Sequence, residues 1–187
     1  KKNIAPLTNA DRTRALSVFD AICEAYLSAP PEVLSSGVGT VTVGGVQQDR
    51  SEVSISKAIN SPGGKLAEAL WELLPRPRKG RPLPKYLALR FDRLFSLPGD
   101  GAGHAVAVVA QHMGWLDYWF PDFVRDRLLP LFDPQNVLSE AAWHGFGYDR
   151  NWLSHDTLQF MNSFLLGVLK GDANWRLDEQ EYRQHVH

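Results

Sequence analysis

The 187-residue chain is 44% hydrophobic and 11% aromatic, enough to bury a core as one domain or two small subdomains, which excludes a disordered polymer. Twenty basic residues against 21 acidic ones leave a formal charge of -1, so a surface built throughout for nucleic acid is excluded and only local basic patches remain. A single cysteine, Cys23, cannot close an internal disulfide; with no secretory leader and no apolar run near the roughly 20 residues of a bilayer crossing, a reducing cytoplasm and no membrane anchor are expected.

The chain opens on Lys1-Lys2-Asn3 without a methionine and is expected to be a segment of a larger protein. From Asp11 to Leu27, Leu16, Phe19, Ile22, Cys23, Tyr26 and Leu27 recur at three- and four-residue intervals, the signature of one helix face, with Thr8 or Asn9 placed to cap. Ala29-Pro30-Pro31 ends it. Between Gly37 and Asp49, valines and threonines alternate with four glycines, which predicts a small β-hairpin at 38–47 or a loop.

A short helical pattern at Glu52–Ile59 leads into Asn60-Ser61-Pro62-Gly63-Gly64-Lys65-Leu66, a junction that closes one helix and opens the next. Pro62 suits a first helical turn, and Leu66, Ala67, Leu70, Leu73 and Leu74 carry the following apolar stripe. Gly63, Gly64 and Lys65 could cradle an anion with free N–H groups at the positive end of a helix. A nucleotide-binding phosphate loop would also need a preceding strand, a longer glycine spacing and a hydroxyl residue after the lysine, so capping is the plainer use of these residues.

Pro75 to Pro82 is a basic, proline-rich connector whose Arg76, Arg78, Lys79 and Arg81 cannot be buried; they could lie along a phosphate backbone or form a solvated linker. Leu83–Leu97 places Leu87, Phe91, Leu94 and Phe95 at helical spacing, and Pro98–Gly101 is a turn. Ala105, Val108, Val109, His112, Met113 and Leu116 continue one buried helical stripe. Asp122–Leu131 is short and amphipathic, and a helix toward His144 is expected to start at Asp133-Pro134, with Asp133 as its cap. Asp156–Leu169, capped by Ser154, should present Leu158, Met161, Leu165, Val168 and Leu169 on one face and stop at Gly171.

Catalytic and metal signatures are weak. His104 and His112 lack a carboxylate helix partner, His144 and His155 flank a loop holding Asp149, and no metal or cofactor is expected. Cys23 lies on a buried face that suppresses thiolate formation, and no Gly-x-Ser-x-Gly elbow exists. Ser154-His155-Asp156 are helix-start neighbours that point apart and read as a cap with an acidic first turn. The rings Trp115, Tyr118, Trp119, Phe120 and Phe123, then Trp143, Phe146, Tyr148 and Trp152, exceed what small helices hide singly; Trp115, Trp119, Phe120, Phe123, Trp143 and Trp152 are therefore expected to supply an interaction patch.

Ala58–Leu70 with its Ser-Pro-Gly-Gly-Lys junction, Gly103-His104-Ala105-Val106, Leu128–Asp133 and Ala141–Phe146, in this order, resemble the uncharacterised C-terminal helical domain of large bacterial sirtuin-domain proteins. The resemblance spans roughly 51–169 and transfers no catalytic residue. It implies a regulatory role in anti-phage defence, in which a helical region restrains an upstream NAD-consuming domain until it senses infection.

The expected fold is all-α, an antiparallel helical bundle or short solenoid-like array of helical repeats, either a single domain or subdomains 1–74 and 83–171 joined by linker 75–82, with a polar tail at 172–187. The expected function is a non-catalytic protein-interaction and sensor module of a larger cytosolic bacterial protein. Its partner would be its own upstream domain, another protomer or a phage protein. The alternatives are a nucleic-acid-contacting accessory domain using Arg76–Arg81, and a phosphate or nucleotide binder at Gly63–Lys65.

Overall fold

A computed structural model of the chain describes residues 8–30, 41–43, 46–48, 55–75, 78, 81–149 and 152–170. The fold is all-α with one small hairpin. Helix α1 (Asn9–Leu27) is followed by antiparallel strands β1 (Val41–Val43) and β2 (Val46–Gln48), in which Val43 pairs with Val46 and Val41 with Gln48. Then come α2 (Ile55–Asn60), α3 (Pro62–Glu72), α4 (Lys85–Leu94), α5 (Gly101–Ala110), α6 (Met113–Trp119), α7 (Pro121–Phe123), α8 (Ser139–Phe146) and α9 (His155–Lys170). Among the described residues no helix is long and apolar enough to cross a membrane.

Local chemistry accounts for three of the starts. Thr8 accepts the N–H of Asp11 while the Asp11 carboxylate accepts the N–H of Thr8, a reciprocal capping box. Ser61 Oγ accepts the N–H of Gly64 at 3.0 Å, and Pro62 occupies the first turn of α3, where its missing N–H would have had no partner. Ser154 caps α9 by accepting the N–H of Thr157 at 3.3 Å.

Helix α5 is the centre. Every residue from Gly101 to Ala110 except Gly103 is buried, so α5 has no polar face and must be covered on all sides. α3, α8 and α2 cover it, and the α3–α5 contact is the most extensive in the molecule. Glycines allow this approach: a Cβ on Gly63 would strike the Gly101 carbonyl oxygen, one on Gly64 that of Ala58, and one on Gly145 that of Ala107. Because α3 precedes the proline-rich connector and α5 follows it, residues on both sides of 75–82 share one core, running from Leu16 to Met161. On the opposite flank α1 is tied to α4 by Arg90, which grips the Asp20 carboxylate (Nε–Oδ1 2.9 Å), and by Arg93, paired with Glu24.

Four expectations are corrected. The stripe from Ala105 to Leu116 is two helices, because His112 leaves the helical conformation (φ -113°, ψ 14°) and stacks its ring on Trp71. The helix leading to His144 starts at Ser139: Asp133 Oδ1 accepts the N–H of Gln135 and Asn136 Oδ1 that of Leu138, so local side-chain bonds hold this stretch as turns. On α1, Ile22 and Leu27 are exposed while Leu16, Phe19 and Cys23 are buried, so the covered stripe is narrower than the apolar one. On α9, Leu158 is exposed and Met161 buried.

Candidate functional site

Two neighbouring features stand out: a ring stack across α3, the α5–α6 junction and α6, and a groove between the start of α4 and the α6–α7 corner. In the stack, the Trp71 and His112 rings lie nearly parallel at 4.1 Å, and Trp115 meets Trp71 edge-on at 4.7 Å. Trp115 also touches Trp119 and Phe120, which carries the ring chain to the groove. Burial lowers the His112 pKa from its ordinary 6.5 against the opposing pull of Asp149, Glu68 and Glu72, so the stacked imidazole is held neutral near neutral pH. Burial lowers that of His104 as well, opposed by Asp100 and reinforced by Lys57.

The groove encloses about 530 Å³. One wall is Arg81, Pro82, Leu83 and Ala88; the other is Tyr118 through Phe123, with Asp126 and Arg127 at the rim. Phe120 and Phe123 are buried in its floor, Trp119 is half-buried, and Tyr118 at the lip is 58% exposed. The rim charges are mostly matched within the chain, Arg127 with Asp92 at 3.0 Å and Arg125 with Asp122 and Asp126 at 2.9 and 3.0 Å. Arg81 is exposed and its guanidinium has no partner among the described residues.

Helix α6, which carries the rings, is fixed by carboxylates at both ends. Asp149 accepts the N–H of Gly114 in its first turn. Asp117, buried to 3% exposure, accepts the N–H of Ser154 at 2.6 Å and the hydroxyl of Thr157 at 2.7 Å, which anchors the start of α9 to α6. Sequence reasoning overlooked Trp71 and Asp117, and it named Asp149 only as part of the loop between His144 and His155. Asp117 did leave a signal, being the one charge in the ring-rich stretch Met113–Trp119.

The remaining expected site residues are dispersed. Gly63 and Gly64 are buried against neighbouring backbone, the Gly64 N–H is taken by Ser61, and the Lys65 ammonium pairs with Glu68 at 2.8 Å, so the expected anion cradle is filled by the chain's own atoms. Of the basic connector, Arg78 and Arg81 are exposed; Arg76 and Lys79 lie outside the described residues. Trp143 is buried, its indole N–H donating to the Phe132 carbonyl at 3.0 Å, so of the expected patch it, Phe120 and Phe123 belong to the core. Trp115 and Trp119 are half-buried, and Trp152, 93% exposed, is apart from the groove lining.

Burial pushes the Cys23 thiol up to about 11, and no cluster of three or more histidine, cysteine or carboxylate side chains with metal-binding proximity occurs among the described residues. The arrangement offers contact surface and matched rim charges to a ligand. Compared with known proteins, the chain matches no family model, no curated protein and no solved structure.

Proposed function

We propose that the chain is a protein-interaction and regulatory module that docks an extended apolar segment of a partner protein in the groove between α4 and the α6–α7 corner. One observation carries this: a ring-floored groove of about 530 Å³ remains open between the start of α4 and the α6–α7 corner. Rings that keep one face toward solvent lose water when a partner covers them, which is the chemistry of interface anchors. The self-paired rim leaves Arg81 as the charge open to a partner, so the segment should place a carboxylate opposite it. The resemblance to C-terminal helical domains of sirtuin-domain proteins supports a segment of an upstream NAD-consuming domain as that partner, with release of the segment as the regulatory event.

Selection of peptides from a randomised library on the immobilised protein tests the proposal. Enriched peptides should combine apolar or aromatic residues with an acidic one. Their affinity should fall about tenfold with Tyr118→Ser or Ala88→Glu, changes at the lip and wall that leave the buried floor intact. Peptides that bind both variants as tightly as the parent would overturn it.

A further inference from the structure

The groove between α4 and the α6–α7 corner offers a hydrogen-bond donor as well as rings. Trp143, in the core, donates its indole N–H to the Phe132 carbonyl at 3.0 Å, whereas the indole N–H of Trp119, in the groove wall, has no partner among the described residues. Nor is it sealed in: among the described residues that are not exposed, the one side-chain nitrogen or oxygen both sealed from solvent and unpaired is the Nε of Arg12, at the start of α1. A partner that covers Trp119 must therefore bring an acceptor, or it leaves a buried donor unpaired.

The walls decide which kind of backbone can bring it. Strand addition needs a receptor edge of free N–H and C=O groups, but the stretch ahead of α4 is Arg81-Pro82-Leu83-Pro84, in which both prolines lack the N–H, and the facing wall is built on helices α6 and α7. A helix spends its carbonyls on itself. A polyproline II segment leaves its carbonyls free and, wherever it is proline, has no N–H for the apolar walls to strand. The rings suit such a segment too, since Tyr118 and Trp119 stand nearly perpendicular, at 86° and 4.8 Å, and Pro121 and Phe123 extend the apolar surface. We propose that the segment docked in this groove is proline-rich and held as a polyproline II helix, with Trp119 donating to one of its carbonyls and the unpartnered Arg81 pairing with an acidic side chain. The proposal rests on the groove being the docking site inferred above.

Two peptide libraries selected on the immobilised protein test it, one with prolines fixed at the polyproline II spacing of about three residues per turn and one without proline. Groove binding is scored as affinity lost in Tyr118→Ser or Ala88→Glu. The groove binders should come from the proline library and weaken about tenfold when a central proline is replaced by alanine. Arg81→Ala should weaken them about threefold, and neutralising the peptide's acidic residue should then have no further effect. In a proton–nitrogen correlation spectrum of the parent protein, the Trp119 indole N–H signal should move downfield and saturate as peptide is added; Trp119→Phe should bind about fivefold more weakly. Groove binders from the proline-free library that are at least as tight, or an indole signal unmoved by a bound proline peptide, would overturn the proposal while leaving the groove a docking site. Absence of groove binders from both libraries would overturn the docking reading itself, and this proposal with it.

Discussion

The junction where α3 and α8 meet α5 is closed, whereas the corner between α4 and α6–α7 stays open, and the difference comes from side-chain size. At the junction, Gly63 and Gly145 let α3 and α8 approach the α5 backbone, and Gly64 lets α3 approach that of α2, until a single Cβ would collide with a carbonyl oxygen, leaving no room for a ligand. At the corner, Tyr118, Trp119, Phe120 and Phe123 hold α4 and the α6–α7 turn apart, and the space between them is a groove. One region stabilises the fold; the other is free to bind.

Substitution should separate the two regions most sharply at the glycines. Gly64→Ala and Gly145→Ala should each cost about 3 kcal/mol and lower the melting temperature by about 6 to 12 °C, since the backbone clash outweighs the roughly 1 kcal/mol that alanine gains in a helix. Melting of either variant at the parent temperature would break the comparison. Next, Asp117→Ala should cost about 2 kcal/mol by leaving the Ser154 N–H and the Thr157 hydroxyl without their acceptor. Faster amide exchange, concentrated at the start of α9, would show that the effect is local.

A smaller effect comes from pH. The folded-state pKa values of His104 and His112 both lie below the ordinary 6.5, so between the folded and unfolded values the unfolded chain binds more protons. Stability from these groups is therefore present above pH 6.5 and declines as the pH falls below it, which urea midpoints measured on either side will show. His104→Gln should flatten that slope. The smallest change is expected from Tyr118→Ser, within about 0.5 kcal/mol of the parent in denaturant melts because the ring is largely exposed. A large loss there would mean that the groove's lip supports the fold and is not free for a partner.

Much of the architecture is legible in the order of residues. The cap at Thr8, the Ser61-Pro62 start and the Ser154 cap depend on atoms within four residues of one another, and the apolar spacing of Leu87, Phe91 and Leu94 marks the buried side of α4. The hairpin expected at 38–47 corresponds to strands Val41–Val43 and Val46–Gln48, a β-branched run interrupted by Gly44-Gly45. The break at His112 was hidden because periodicity continues through it; the ring it stacks on is 41 positions away. Asp133 misled for a related reason, since a residue that caps helices also closes turns.

The candidate sites were less legible. Ring density marked Tyr118, Trp119, Phe120 and Phe123, but it could not separate those that line the groove from Trp143, which is core. The buried, unpartnered nitrogen of Arg12 left no sequence signal, since Arg12 is one of two arginines near the start of α1.

By itself the sequence determined the helical class, most of the caps and the faces that seek burial, because these follow from bonds and spacings between near neighbours. Tertiary structure alone decided that the Gly63-Gly64 pair meets the neighbouring backbone, that Asp117 holds the start of α9, and that Arg12 is left with a buried nitrogen and no partner. Each of these outcomes depends on which distant segment arrives opposite a residue, and the packing of the whole core sets that.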